Sequence, residues 1–184
     1  RPFAAGLVLS LCAAKFHLFL LLPVLIVLQR QWRMAQGFAA GAAVLAGASF
    51  LAGGPRWPEE YYRQLQSSTI SPAVHIMPNL HGLFAGLPHA AGFEFAAAVG
   101  VAAAVAVAAR RLRFEPALAA TLAGGLLVSG HAFPADAVLL IPALLIALEE
   151  SWAVLRNGAF LLLTPIGALG LVVDGLLIQA LRVA

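Results

Sequence analysis

The chain has 184 residues, 62% of them hydrophobic and only 10% charged, with a formal charge of +3. A water-soluble domain of this size cannot hide so much apolar surface, so the composition excludes one and points to repeated membrane-spanning helices. The positive balance is no nucleic-acid footprint, because the arginines fall in short clusters between apolar runs, as in cytoplasmic loops. Cys12 is the single cysteine, which excludes an internal disulfide and leaves no Cys-based metal site.

In chain order the apolar segments lie at roughly 3–28, 34–53, 92–109, 117–130, 135–148 and 158–181. Backbone groups in lipid must be satisfied within a segment, so each is predicted to be helical. The expected fold class is an all-α integral membrane protein: a polytopic helix bundle of about six apolar segments, the first a candidate broken hairpin. No secretory cleavage pattern is present, and the sequence enters an apolar run directly from Arg1-Pro2. Residues 1–184 are therefore read as the C-terminal portion of one transmembrane domain.

The first segment, 3–28, would span about 39 Å as one helix against an apolar core of about 30 Å. It must either tilt strongly or break into a hairpin with both ends cytoplasmic. Either way Lys15 and His17, in AAKFHLF, fall inside the membrane. A lysine there costs several kcal/mol unless it pairs with something. The functional reading is an anionic ligand, most simply a phosphate on a lipid substrate. The structural alternative is an ion pair with a carboxylate N-terminal to Arg1.

QRQWR (29–33) puts Arg30 and Arg33 in the cytoplasm, and the 34–53 helix then crosses outward. Its GFAAGAAVLAG run permits close helix approach. Residues 54–91 become an extracytoplasmic loop. Within it, PRWPEEYYRQLQ is predicted as a short interfacial helix: Pro58 suits a first turn, Glu59 and Glu60 suit the positive dipole end, and Trp57, Tyr61 and Tyr62 favour the lipid–water boundary. Arg56 and Arg63 could meet lipid phosphates there, although a plain interfacial helix is the commoner case.

The same loop contains HIMPNLHGLFAGLPH (75–89), with His75, Asn79, His81 and His89. Their spacings of six and eight residues lack the i, i+4 logic of a zinc site, and Glu94 is the nearest carboxylate, so no metal site is assigned and no divalent metal is supported. Contacts to a substrate headgroup weigh evenly against solvated histidines. Asn79 and His81 are the preferred pair, with Gly82 giving a tight backbone path.

The 92–109 helix returns to Arg110, Arg111 and Arg113. The next two segments are each only about 14 residues, or about 21 Å, short of the apolar core. SGHAFPAD between them should therefore sit in a dip below the outer surface. His131 and Asp136 are candidates to line that dip, with a helix cap as the equally good reading for Asp136. Arg156 is placed inside. Glu149, Glu150 and Asp174 read as ordinary helix-end charges.

Three stretches, AGLVLSLCAAKFHLFLLLPVLIVLQRQWR, MPNLHGLFAG and SGHAFPADAVLLIPALL, together resemble the C-terminal half of a polytopic glycosyltransferase family. It is family 87 of the GT-C class, long catalogued as a domain of unknown function, and includes polyprenyl-phosphate-mannose-dependent mannosyltransferases. Lys15, Pro23 and the Arg30-Gln31-Trp32-Arg33 turn match its first motif, with Phe16 replacing a usual Pro. Asn79 to Gly82 matches its Asn-x-x-Gly loop. His131, Asp136 and Pro142 match its His, Asp and Leu-Pro run, with Ala135 in place of an aromatic and Gly130 in place of a Pro. The resemblance covers most of residues 1–150.

The resemblance implies a GT-C-type bundle in the plasma membrane that moves a hexose, with mannose the best-known case, on the extracytoplasmic face. The donor would be a polyprenyl-phosphate sugar, and the acceptor a glycolipid or cell-envelope glycan. Lys15, His17 and His131 would hold the donor's phosphate, while the 75–89 loop lined the acceptor side. The base in such enzymes is an Asp or Glu of the first outer loop, expected N-terminal to Arg1, so residues 1–184 alone should be inactive. Two other classes remain in view from the residues: a transporter or flippase of lipid-linked sugars or other anions, and a membrane scaffold with buried polar groups.

Overall fold

A computed structural model describes residues 1–65 and 74–149, together with Arg156, Asn157 and Ala159. Apart from Ala159, the apolar segment expected at 158–181 and its Asp174 lie outside the described residues, as does Glu150. The described chain is helical, with no strand. Helix α1 (Pro2–Leu9) leads into a 3-10 helix (Ser10–Phe19) and then α2 (Leu22–Leu28). After a turn come α3 (Trp32–Gly53) and α4 (Trp57–Leu65). Beyond residue 73 lie a single 3-10 turn (Val74–Ile76), α5 (Leu80–Leu83), α6 (Ala90–Arg111) and α7 (Phe114–Val128). A 3-10 helix (Pro134–Leu139) and α8 (Leu140–Glu149) follow. The helix expected over 135–148 is thus two pieces, the first in tighter 3-10 winding with Pro134 opening it.

Glycines decide the form of the first apolar segment. A Cβ on Gly37 would strike the backbone of Phe3 and Leu7, one on Gly6 the backbone of Met34 and Phe38, and one on Gly41 the Ser10 side chain. Gly37 and Gly41 form a small-xxx-small pair, and α1 runs parallel to α3 along it. Because α2 enters α3 through a tight turn at Gln29–Gln31, with Arg30 at φ 54°, α2 runs opposite to both. Arg1 and Arg30 therefore share one end of the bundle. The segment is the broken hairpin and not one tilted helix.

The break itself falls at Lys15, whose φ of −126° and ψ of 53° leave helical geometry. Pro23 sits in the first turn of α2, where its missing N–H costs nothing. At the arginine end Leu22, Leu25 and Ile26 pack on Ala109 of α6 and Ala117 of α7. Gln29 Nε2 donates to the carbonyls of Ala109 (3.1 Å) and Leu112 (3.2 Å). That ties the Arg30–Arg33 turn to the Arg110–Arg113 turn, so both arginine clusters lie together. At the opposite end Leu18, Leu126 and Ala132 form a second, smaller cluster.

Helices α3 and α6, each 22 residues, are long and apolar enough to cross a membrane. At 1.5 Å per residue they reach about 33 Å. Their outer faces carry large apolar residues in full exposure, including Leu51 at 91% and Phe95 at 72%. Lipid suits such a surface and water does not. Helix α7, at 15 residues, is too short to match them.

Candidate functional site

Four of the six residues singled out in the sequence converge where the hairpin breaks. Lys15 Nζ donates to Asp136 Oδ1 at 2.5 Å, linking residues 121 apart in sequence. The lysine side chain keeps 54% of its surface while the carboxylate keeps 6%. The ion partner is thus found within the chain, not N-terminal to it. An ammonium has three donors, so two remain for a ligand.

Asp136 serves two neighbours at once. Its Oδ2 accepts the Phe133 backbone N–H at 2.9 Å, and the Asp136 N–H returns to the Phe133 carbonyl at 2.8 Å. The cap reading and the cavity reading of this residue therefore coincide. One oxygen caps the 3-10 helix and the other fixes the lysine.

The histidines complete the cluster. The His17 and His131 rings meet edge to face with centroids 6.2 Å apart, and His131 packs on Phe133 at 5.1 Å. His17 Nδ1 is buried without a hydrogen-bond partner among the described residues. His131 is held through its backbone: Ser129 Oγ donates to the His131 carbonyl (2.7 Å) and accepts its N–H (3.3 Å). Sequence reasoning passed over Ser129, although Ser-x-His at the head of a loop is a spacing at which a hydroxyl serves the backbone two residues on.

Asn79 and His81 lie on the neighbouring loop and do different work. Asn79 is buried, accepts the Gly82 N–H at 2.8 Å as the cap of α5, and donates to the Ser129 carbonyl at 2.7 Å. It is a strut between the 75–89 loop and the 129–136 loop. A Cβ on Gly82 would collide with the Met77 and Val74 carbonyls, which is the tight path its position suggested. His81 Nδ1 lies 2.9 Å from Glu94 Oε2, so the imidazole donates there and Nε2 is the remaining ring nitrogen. His89 adopts a left-handed backbone (φ 61°, ψ 27°) just before α6 and caps nothing with its side chain. Among the described residues no three His, Cys, Asp or Glu side chains gather as a metal site.

Helix α4 forms as expected, with Glu59 and Glu60 in its first turn and an exposed Glu59–Arg63 pair at 2.9 Å. Its aromatic face reaches the hairpin. Trp57, Tyr61, Phe16, His17 and His131 make one row of rings, with successive centroids 6.1, 6.4, 5.8 and 6.2 Å apart. Phe16, the departure from the family pattern, is the middle ring.

Chemically the cluster offers an ammonium with free donors and two imidazoles at one end of a lipid-facing helix bundle. Groups of this kind stabilise a developing anion. Fold and site together define a polytopic helical membrane protein with a cluster of polar side chains at one end. A family model, glycosyltransferase family 87, matches residues 1–142. The chain belongs to that family, and with it to the membrane glycosyltransferases. No curated protein and no solved structure matches it.

Proposed function

We propose that the protein transfers a hexose, with mannose the first sugar to test, from a polyprenyl-phosphate donor to an acceptor at the extracytoplasmic face of the plasma membrane. The observation that carries this reading is the meeting of Lys15, His17 and His131 at the end of the bundle opposite the arginine turns. By the positive-inside rule the arginine end is cytoplasmic, so the cluster faces outward. In the transfer, the acceptor hydroxyl oxygen attacks the sugar's anomeric carbon as the bond to the phosphate oxygen breaks. The departing lipid phosphate gains negative charge, and the two unused donors of Lys15 and the imidazoles meet it. Asp136 aims the lysine, Asn79 holds the two loops in register, and His81 presents a polar edge to sugar hydroxyls.

The acceptor's proton must go to a base. Asp136 is committed to Lys15 and Phe133, and Glu94 to His81. The family resemblance implies an Asp or Glu of the first outer loop as that base.

The test is sugar transfer in membranes bearing the full-length protein, with labelled polyprenyl-phosphate mannose as donor and protein levels matched. Wild type should transfer label, and Lys15→Ala and His131→Ala should each lose about 100-fold, as removal of one donor to a developing oxyanion does. Transfer by both variants at the wild-type rate would sink the site assignment. A folded wild type that moves other lipid-linked hexoses but not mannose would correct the sugar, and one that carries labelled lipid across vesicles without transfer would replace the enzyme by a transporter.

A further inference from the structure

At the arginine end of the bundle one side chain joins two turns. Gln29 closes α2, and its Nε2 donates to the carbonyls of Ala109 and Leu112, which bracket Arg110 and Arg111. That amide brings Arg30 and Arg33 of the first turn together with Arg110, Arg111 and Arg113 of the second. All five are exposed. The ion pairs among the described residues lie elsewhere, at Lys15–Asp136, Glu59–Arg63 and His81–Glu94. Glu115, in the first turn of α7, is exposed and makes no ion pair with any of the five.

The first turn carries a second mark. The Gln31 N–H donates to the Ile26 carbonyl at 2.9 Å, closing the six-residue loop with which helices commonly end. The residue before the donor in such a loop has positive φ and is usually glycine, because a Cβ there is strained. Here it is Arg30, at φ 54°. Membrane orientation needs only positive charge near the end of a segment, and Arg33 supplies that from unstrained helix. A charged side chain kept at a glycine position, against the backbone's preference, points to a task for that side chain.

Apolar side chains border the guanidiniums. Val27 lies one turn before Arg30, Trp32 and Leu112 each stand between two arginines of their own turn, and all three are about half exposed. Tryptophan favours the headgroup level of a bilayer. A soluble anion would meet the charge and gain nothing from these neighbours. A zwitterionic headgroup brings its own ammonium, which unpaired guanidiniums repel. An anionic phospholipid matches both parts, with phosphate oxygens for the forked guanidinium donors and acyl chains for the apolar rim. We propose that the arginine end is a binding site for an anionic phospholipid, whose phosphate lies between the Arg30–Arg33 and Arg110–Arg113 turns. The positive-inside rule puts this site in the cytoplasmic leaflet, and basic crevices between transmembrane helices there take lipid headgroups. It lies at the opposite end from Lys15 and does not depend on the sugar-transfer reading. The bound lipid ties the hairpin turn to the α6–α7 turn, as Gln29 does from within.

The test is native mass spectrometry of the full-length protein in neutral detergent, titrated with dioleoylphosphatidylglycerol and separately with phosphatidylcholine of the same chains. Wild type should bind the anionic lipid about tenfold more tightly, and the preference should shrink as salt rises. Arg30→Gly should weaken phosphatidylglycerol binding about fivefold, the contribution of one basic side chain near an anionic headgroup, and leave phosphatidylcholine binding unchanged. Its Tm without added lipid should hold or rise, because glycine relieves the strained turn. Arg110→Gln should weaken binding by a similar factor, while Arg63→Gln and Lys15→Ala, both away from this end, should keep the preference. Equal affinity for the two lipids, or a preference that survives Arg30→Gly and Arg110→Gln together, would overturn the proposal. So would loss of the preference in Lys15→Ala, which moves the anionic lipid to the other end. Displacement of phosphatidylglycerol by glycerol phosphate would replace the lipid by a soluble anion. A lower Tm for lipid-free Arg30→Gly would also count against it, since the side chain would then be holding the fold. If Arg30→Gly does not fold at all, Arg33→Gln carries the same comparison.

Discussion

Along α3 the first half carries Gly37 and Gly41 and the second half Ala42, Ala46 and Ser49. The backbone of α1 covers the first set, while the second borders an open cavity. Both halves are built of small residues, so small size by itself does not determine whether a helix face is sealed. What differs is the partner. Helix α1 follows α3 in parallel as far as Ser10, and then the chain unwinds into 3-10 form and turns at Lys15. Beyond that point no backbone of the described residues fills the space the small residues leave. Sealing and opening are two results of one sequence device, separated by a single break.

The comparison is broken most severely at the seal. Gly37→Leu drives a side chain into the Phe3 and Leu7 backbone, which cannot step aside as a flexible side chain does. Overpacking of this kind costs about 1–3 kcal/mol and more against backbone. Thermal unfolding in detergent should show the largest drop in Tm there, whereas Ala46→Leu on the open half should stay within about 0.5 kcal/mol of wild type. Equal losses at both positions would mean that the open half is also packed.

A smaller loss is expected from the strut that holds the open end together. Asn79→Ala leaves the Gly82 N–H and the Ser129 carbonyl without their partners, at about 1–3 kcal/mol for a buried polar group left unsatisfied. Tm should fall, and transfer with it, since the 129–136 loop then loses its tie to the 75–89 loop. Unchanged transfer with lowered Tm would separate the strut from the site. The smallest effect belongs to the wall of the cavity: Arg63→Ala removes an exposed i, i+4 pair with Glu59, and pairs of that kind contribute little. Tm should not move measurably, because the aromatic face of α4 is untouched.

The broad fold was legible because membrane physics acts on composition. Apolar length foretold α3, α6 and α7 within a few residues, and the arginine clusters marked turns that Gln29 does bring together at one end. The hairpin was legible only as an alternative, since length alone could not choose between tilt and break. Contact of Gly6, Gly37 and Gly41 with facing backbone chose, and such contact is a property of two segments at once. Pro-Ala-Asp-Ala read as the start of an α-helix and proved to be 3-10, a difference of winding that composition does not encode. Lys15 announced itself by its cost in lipid, but its carboxylate lies 121 residues away, and no local pattern joins the two. His81 was singled out for substrate contact, and its pairing with Glu94, 13 residues on, had no signal in the sequence. The ring row through Phe16 had no signal beyond that residue's departure from the family pattern.

The 3-10 winding of residues 10–19 sets how far the chain reaches. An α-helix advances about 1.5 Å per residue and a 3-10 helix about 2.0 Å. Over the five steps from Ser10 to Lys15 the longer rise adds about 2.5 Å of height. That gain is of the order of the whole Lys15–Asp136 contact distance. Wound as an ordinary helix, the same residues would set the Lys15 backbone lower by about that much, and the side chain would have to stretch to reach its carboxylate. Here the thinner, longer coil is a spacer, and its pitch sets the height at which the lysine meets the pocket.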